Sequence, residues 1–200
     1  MSKIGLFGGT FNPPTTAHIN LANKIIEELE LEKIVFMPMG DSYKKEGIIE
    51  AKHRYKMLQI AVKGSAKLQV SDLEISTEKS LDAIDAFKLI QNEYKNNELF
   101  FIMGADNFKN IEEWKSSEEL ITNYNYIVIE RENINLKDII SKSKSLKENE
   151  KNFYIVENKE YESISASTIR KNIQSIEIKK YVAEEILDYI NNNGLYTKKL

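Results

Sequence analysis

The chain has no cysteine among its 200 residues. Disulfides, thiolate nucleophiles and cysteine-ligated zinc are therefore excluded. It has only 3 prolines, 2 histidines and 1 tryptophan. No apolar run approaches the roughly 20 residues a membrane-spanning helix needs. Charge of one sign does not dominate either: 28 basic and 31 acidic side chains leave a formal net charge of −3. That balance gives no reason to expect a nucleic-acid or membrane partner. An anionic ligand would need a local cluster of positive groups. After Met-Ser-Lys the chain enters a strand-like run, without the layout of a signal peptide. A soluble, cytoplasmic protein is the expectation. The length and the 42% hydrophobic content suit one domain, residues 1–200, with a substantial core.

Strand-like and helical stretches alternate along the chain. "KIGLF" reads as a short buried strand, and from Thr16 the spacing of Ile19, Ala22, Ile25, Ile26 and Leu29 predicts a helix. "KIVFMPMG" reads as a second strand, which makes a βαβ unit with a parallel pair and a right-handed crossover. Further strands are expected at "KLQVSDLEI", "LFFIMG", "YIVIER" and "NFYIVE". "LFFIMG", the most apolar, should be central. Helices are expected at "EAKHRYKMLQIAVKG", at "SLDAIDAFKLIQNEY" with Ser80 as a candidate N-cap, and at "SSEELITNY". The lysine-rich stretch around 133–151 reads as a solvated helix. Two helical stretches, "SASTIRKNI" and "YVAEEILDYINNNG", form a small C-terminal part over about 163–200, with Gly194 as a natural helix stop. The fold class is α/β: a doubly wound, Rossmann-like parallel sheet.

Two of the three prolines and one of the two histidines fall within "KIGLFGGTFNPPTTAHIN". In an open parallel sheet, ligands bind at the carboxyl ends of the strands. This stretch should lie there, between the first strand and the first helix. Gly8 and Gly9 allow close backbone approach, and the helix start offers N–H groups and a positive dipole end. Pro13 and Pro14 stiffen the turn. His18, in the first helical turn, can donate to phosphate oxygens. The stretch is neither a P-loop nor a dinucleotide fingerprint, since it has neither G-x-x-x-x-G-K-[ST] nor G-x-G-x-x-G. Ser165, Ser167 and Thr168 cluster at another helix start ahead of Arg170, which suits either a phosphate site or a plain capped helix. In "FIMGADNF" a strand ends at Gly104 and Asp106 follows, where a carboxylate could grip ribose hydroxyls. Trp114 suits either core packing or stacking.

"GGTFNPPTTAH" resembles the signature loop of the nucleotidyltransferase superfamily with the (H/T)xGH motif. Together with "GAD" and the Trp eight residues on, "IER", "ISASTIR" and "VAEEILDYINNNGLY", in that order, it resembles bacterial nicotinate-nucleotide adenylyltransferase. The resemblance spans nearly the whole chain. It implies transfer of AMP from ATP to nicotinate mononucleotide, giving deamido-NAD and pyrophosphate with Mg²⁺ carried by the ATP phosphates. By matching position it implies Thr15, His18 and Arg170 as catalytic groups. Gly8, Gly9, Thr10, Phe11, Gly104, Asp106, Arg131, Ser165 and Ser167 would bind ATP. Lys44, Arg54, Ser80, Asp82 and Trp114 would bind the mononucleotide, Trp114 by stacking on its ring. Lys44 and Arg54 read equally well as surface cations, and His53 as an exposed helix residue. The implied partners are small molecules, and a homo-oligomer is compatible with the sequence.

This chain departs from the family pattern at several points. Ala17 stands for the motif glycine, Asn12 for the usual aspartate, and "SYKKE" for the usual PPHK. Ser80, Leu81 and Asp82 occupy the place of a Ser-Tyr-Thr that recognises the nicotinate carboxylate. Asp82 either caps a helix or faces the ring substituent, where it would repel a carboxylate. Nicotinamide mononucleotide or a phosphopantetheine-type acceptor therefore stay open, as does a nucleotide-binding sensor without turnover.

Overall fold

The structure is a computed structural model that describes residues 1–77, 81–131, 133–158 and 166–197. Strands β1 (Lys3–Gly9), β2 (Lys33–Pro38), β3 (Leu68–Val70), β4 (Glu98–Gly104), β5 (Asn125–Ile129) and β6 (Phe153–Val156) form one sheet in the order β3-β2-β1-β4-β5-β6. Every pairing is parallel. The order reverses between β1 and β4, so their carboxyl ends frame the crevice where a doubly wound fold takes its ligand.

Alternation along the strands divides the core. Leu6, Val35, Phe101 and Val128 face one side, under α3 (Ala83–Glu93) and α5 (Ser117–Asn123). Phe7, Phe36, Ile102 and Ile127 face the other, under α1 (Thr16–Leu29) and Leu58 of α2 (Ala51–Ala61). Both faces are covered, which is why the strands read as continuous apolar runs. A third apolar cluster joins Met57 of α2 to Ile169 of α8 (Ala166–Lys171) and to Ile186 and Ile190 of α9 (Glu184–Asn192). It seats the C-terminal helices on α2. Gly194, at φ 58, turns the chain after α9.

Three expectations need correction. The stretch 67–75 is strand only over Leu68–Val70; Leu73 and Ile75 lie in the turn that follows. The lysine-rich stretch is two short helices, α6 (Leu136–Lys142) and α7 (Lys144–Glu148), and it is not fully solvated, because Leu136, Ile140 and Leu146 are buried. Ser143 breaks it by accepting from the Leu146 N–H, the competition with the helix expected of serine. A short helix, α4 (Ala105–Phe108), follows β4 where none was read. Helix α3 begins at Ala83; the candidate cap Ser80 lies outside the described residues.

Candidate active site

At the end of β1 the chain leaves the sheet through Gly8 and Gly9. A methyl group on Gly8 would meet nothing within 4 Å, so the backbone there is open to a ligand. Gly9 has no such room, since its methyl would meet the Phe11 ring at 3.0 Å. Phe11 is buried, with φ 47. That conformation is costly for a residue with a Cβ. Aromatic packing holds it there: the Phe11 ring stands edge-on to Phe36 at 5.4 Å and to His18 at 5.3 Å. Phe11 thus supports the His18 imidazole, and the loop shape follows from core contacts.

Thr15 is the N-cap of α1, and His18 is its third helical residue. The Thr15 side chain accepts from the His18 N–H, and the Thr15 N–H donates to His18 Nδ1 at 3.0 Å. This is a capping box in which histidine replaces the usual Glu or Gln. An Nδ1 that accepts a backbone N–H carries no proton, so the neutral ring keeps its proton on Nε2. Burial, aided by the Arg131 charge, lowers the His18 pKa to about 4. At neutral pH the side chain is an uncharged Nε2–H donor.

The helix start is less available than expected. The Thr16 N–H donates to the Tyr181 carbonyl at 2.9 Å, and the His18 N–H is held by Thr15. The C-terminal part therefore caps α1 from outside. What the helix offers an anion is its dipole and the His18 side chain.

Asp106 and Arg131, from the ends of β4 and β5, are brought together at 3.6 Å as an exposed pair beside Gly104. Gly104 resembles Gly8 in leaving open space where a Cβ would stand. Arg170 of α8 reaches back to the signature loop, its Nη1 donating to the Asn12 carbonyl at 2.9 Å. Its Nε is buried without a partner among the described residues. An unpaired guanidinium N–H is costly to bury, and a phosphate oxygen would relieve that cost. Ser167 is exposed at the start of α8, and Ser165 lies outside the described residues.

The residues expected to bind a mononucleotide divide differently. Arg54 is neither surface cation nor exposed ligand. It is fully buried, and donates from Nε to Ile49 O, from Nη1 to Thr10 O and from Nη2 to Met39 O. It joins the signature loop to the 39–49 loop, a positioning role that replaces the direct contact expected. Glu74 lies near it, its carboxyl pushed up to about 7 by burial. Lys44 is exposed and donates to Asp41 O. It lines a cleft of its own loop, with Asp41, Tyr43 and Glu46, which does not include His18 or Arg170. Asp82 occupies the N-cap position of α3, but its side chain makes no cap; it takes the Lys115 ammonium instead. Trp114 is half-buried against the α3 side of the core, so packing accounts for part of its surface. Ser80 lies outside the described residues. His53 is half-buried, its Nδ1 2.9 Å from the Tyr189 hydroxyl, and not simply exposed.

Two further residues, given no role from the sequence, are tied to the loop. Asn12 is buried and joins three segments: its Nδ2 donates to Gly47 O, its carbonyl takes Arg170, and its Oδ1 takes the Tyr196 hydroxyl at 2.7 Å. A polar residue beside two prolines in a glycine-rich loop was the available signal for Asn12. Tyr196, 184 positions away, had none.

The family described as cytidylyltransferase-like matches residues 6–172. A curated relative from Carboxydothermus hydrogenoformans, named probable nicotinate-nucleotide adenylyltransferase, is 32% identical over 98% of each chain. One of the same name from Clostridium acetobutylicum is 31% identical, over 98% of this chain and all of its own. Among solved structures, a Plasmodium falciparum nicotinic acid mononucleotide adenylyltransferase complexed with APC superposes with a TM-score of 0.80. It is 26% identical, over all of this chain and 99% of its own. The same enzyme complexed with NaAD, at 24% identity and a TM-score of 0.79, matches in fold.

Proposed function

This chain belongs to the cytidylyltransferase-like family, among the nicotinate-nucleotide adenylyltransferases, and on that premise we propose that it transfers the adenylyl group of ATP to nicotinate mononucleotide. The acceptor's phosphate oxygen forms a bond to the α-phosphorus of ATP as the bond to pyrophosphate breaks. The products are deamido-NAD and pyrophosphate. The relatives carry that activity in their names, and the observation that carries it here is the Thr15–His18 box at the carboxyl end of β1.

The attacking oxygen is already anionic, so no general base is needed. Placement and charge stabilisation suffice. The His18 Nε2–H donates to a phosphate oxygen as charge develops. The open space at Gly8 admits the phosphates against the backbone, with Gly9, Thr10 and Phe11 beneath. Arg170, Ser165 and Ser167 hold the triphosphate. Gly104, Asp106 and Arg131 hold the adenosine part. Trp114 stacks on the pyridine ring, and Lys44 meets the acceptor phosphate. Among the described residues no three His, Asp or Glu side chains stand together to hold a metal. Mg²⁺ would come to the site with the triphosphate. Bound there, it would neutralise charge on the leaving pyrophosphate.

Asp82 turns its carboxylate to Lys115, so it gives no reason to expect rejection of a carboxylate, and nicotinate is the acceptor that the relatives' names favour. We read residues 1–200 as one cytoplasmic nucleotidyltransferase domain, with the C-terminal helices built into its site. The test is pyrophosphate release with ATP and Mg²⁺, offering nicotinate or nicotinamide mononucleotide in turn and identifying the dinucleotide by mass. Faster turnover of nicotinate mononucleotide is expected. No release with either would overturn the reading.

A further inference from the structure

We propose that Tyr196, in the tail after α9, is a positioning residue that acts through Asn12 to set Arg170 and the signature loop. The proposal rests on the adenylyl-transfer reading of the site. Asn12 is 4% exposed, so its carboxamide must find partners within the protein. Its Nδ2 is satisfied by Gly47 O at 2.8 Å. Among the described residues its Oδ1 has one good donor, the Tyr196 hydroxyl at 2.7 Å; the Ile49 N–H stands at 3.5 Å, the limit of a hydrogen bond. Without the hydroxyl, a buried carbonyl oxygen is left nearly unpaired, and the amide has reason to turn. The same residue's backbone carbonyl is the recorded partner of Arg170, through Nη1. Movement of Asn12 therefore moves the anchor of the arginine assigned to the triphosphate.

The tail is built to hold the hydroxyl in place. Leu195 N–H bonds back to Ile190 O, Thr197 Oγ1 to Gly194 O, and Gly194 and Tyr196 both have positive φ. Helix α9 rests on α2 through Met57, Ile186 and Ile190. The tail is thus referenced to α2, the helix that also carries Arg54. Burial pushes the Tyr196 hydroxyl well above the ordinary phenol range, against the pull of Arg170 and Arg54, so it stays a donor throughout the working pH.

The test is a double-mutant cycle with ATP varied, using Tyr196→Phe, Arg170→Ala and the double variant, with thermal unfolding alongside. Tyr196→Phe is expected to lower kcat/KM for ATP about tenfold, within the range that misplacement alone can cost. It should leave the KM for the mononucleotide within about twofold. In the Arg170→Ala background it should cost less than about twofold more, because the path runs through Arg170. A merely structural role would lower both backgrounds by the same factor, and that result overturns the proposal; so does no loss in the single variant. Where turnover of the double variant is too slow to time, the Kd for ATP by calorimetry gives the same cycle. A wild type that binds ATP but turns over neither mononucleotide defeats the transfer reading alone, and the ATP cycle still decides on Tyr196. A wild type that binds no ATP overturns both.

Discussion

Thr15 and His18 hold each other at both ends: the Thr15 N–H donates to His18 Nδ1, and the His18 N–H to Thr15 Oγ1. One local motif starts the helix and selects the tautomer of the imidazole. Thr15→Val removes the side-chain half. It should cost about 1 kcal/mol of stability, as the loss of an N-cap does. It also removes the Thr15 hydroxyl that stands 2.7 Å from His18 Nδ1 and should lower kcat by about tenfold as the ring loosens, while Thr15→Ser restores both. Denaturant unfolding and steady-state kinetics on the two variants check this. A Val variant with full kcat would show that the backbone N–H of residue 15 holds the imidazole without the hydroxyl.

His18 also predicts a pH dependence. Its folded pKa, about 4, lies below the ordinary 6.5. An imidazole shifted down stabilises the folded chain only while neutral. Its contribution is complete above about pH 6.5 and is lost as pH falls toward 4. Urea unfolding at pH 7 and 4.5 should show a larger loss for the wild type than for His18→Gln. The wild-type kcat should show no inflection near 6.5 from this group. Equal losses in the two proteins would contradict the shift.

Gly8 separates fold from site. A methyl there meets no atom within 4 Å, so Gly8→Ala should leave Tm within a few degrees. If the triphosphate lies against that backbone, the same methyl should raise the KM for ATP by about tenfold, of the order of one displaced close contact. Thermal unfolding and ATP kinetics decide together. An unchanged KM would move the phosphates away from Gly8.

The sheet was legible because both of its faces are buried. Its strands are runs of Val, Ile, Leu and Phe that no helical period explains, and "LFFIMG" indeed lies beside β1 in the middle. The His18 loop was legible because glycines, prolines and a capping threonine are local signals. What failed was non-local. Arg54 reads as a cation on a polar helix, and nothing in its neighbours shows that three carbonyls from two loops surround it. Asp82 sits where a cap belongs, yet Lys115 takes its carboxylate. The lysine-rich stretch hides three buried side chains among its charges, too few to set a clear period. The link between Asn12 and Tyr196 joins opposite ends of the chain, which no spacing rule reaches.

The most direct measurement is pyrophosphate release from ATP and nicotinate mononucleotide by the wild type and by His18→Ala, compared at equal folded fraction by circular dichroism. The wild type should form deamido-NAD. The variant's kcat should be at least ~100-fold lower, the size of losing one charge-stabilising donor. A folded His18→Ala protein with near-normal kcat, or a wild type that releases no pyrophosphate, would contradict this mechanism.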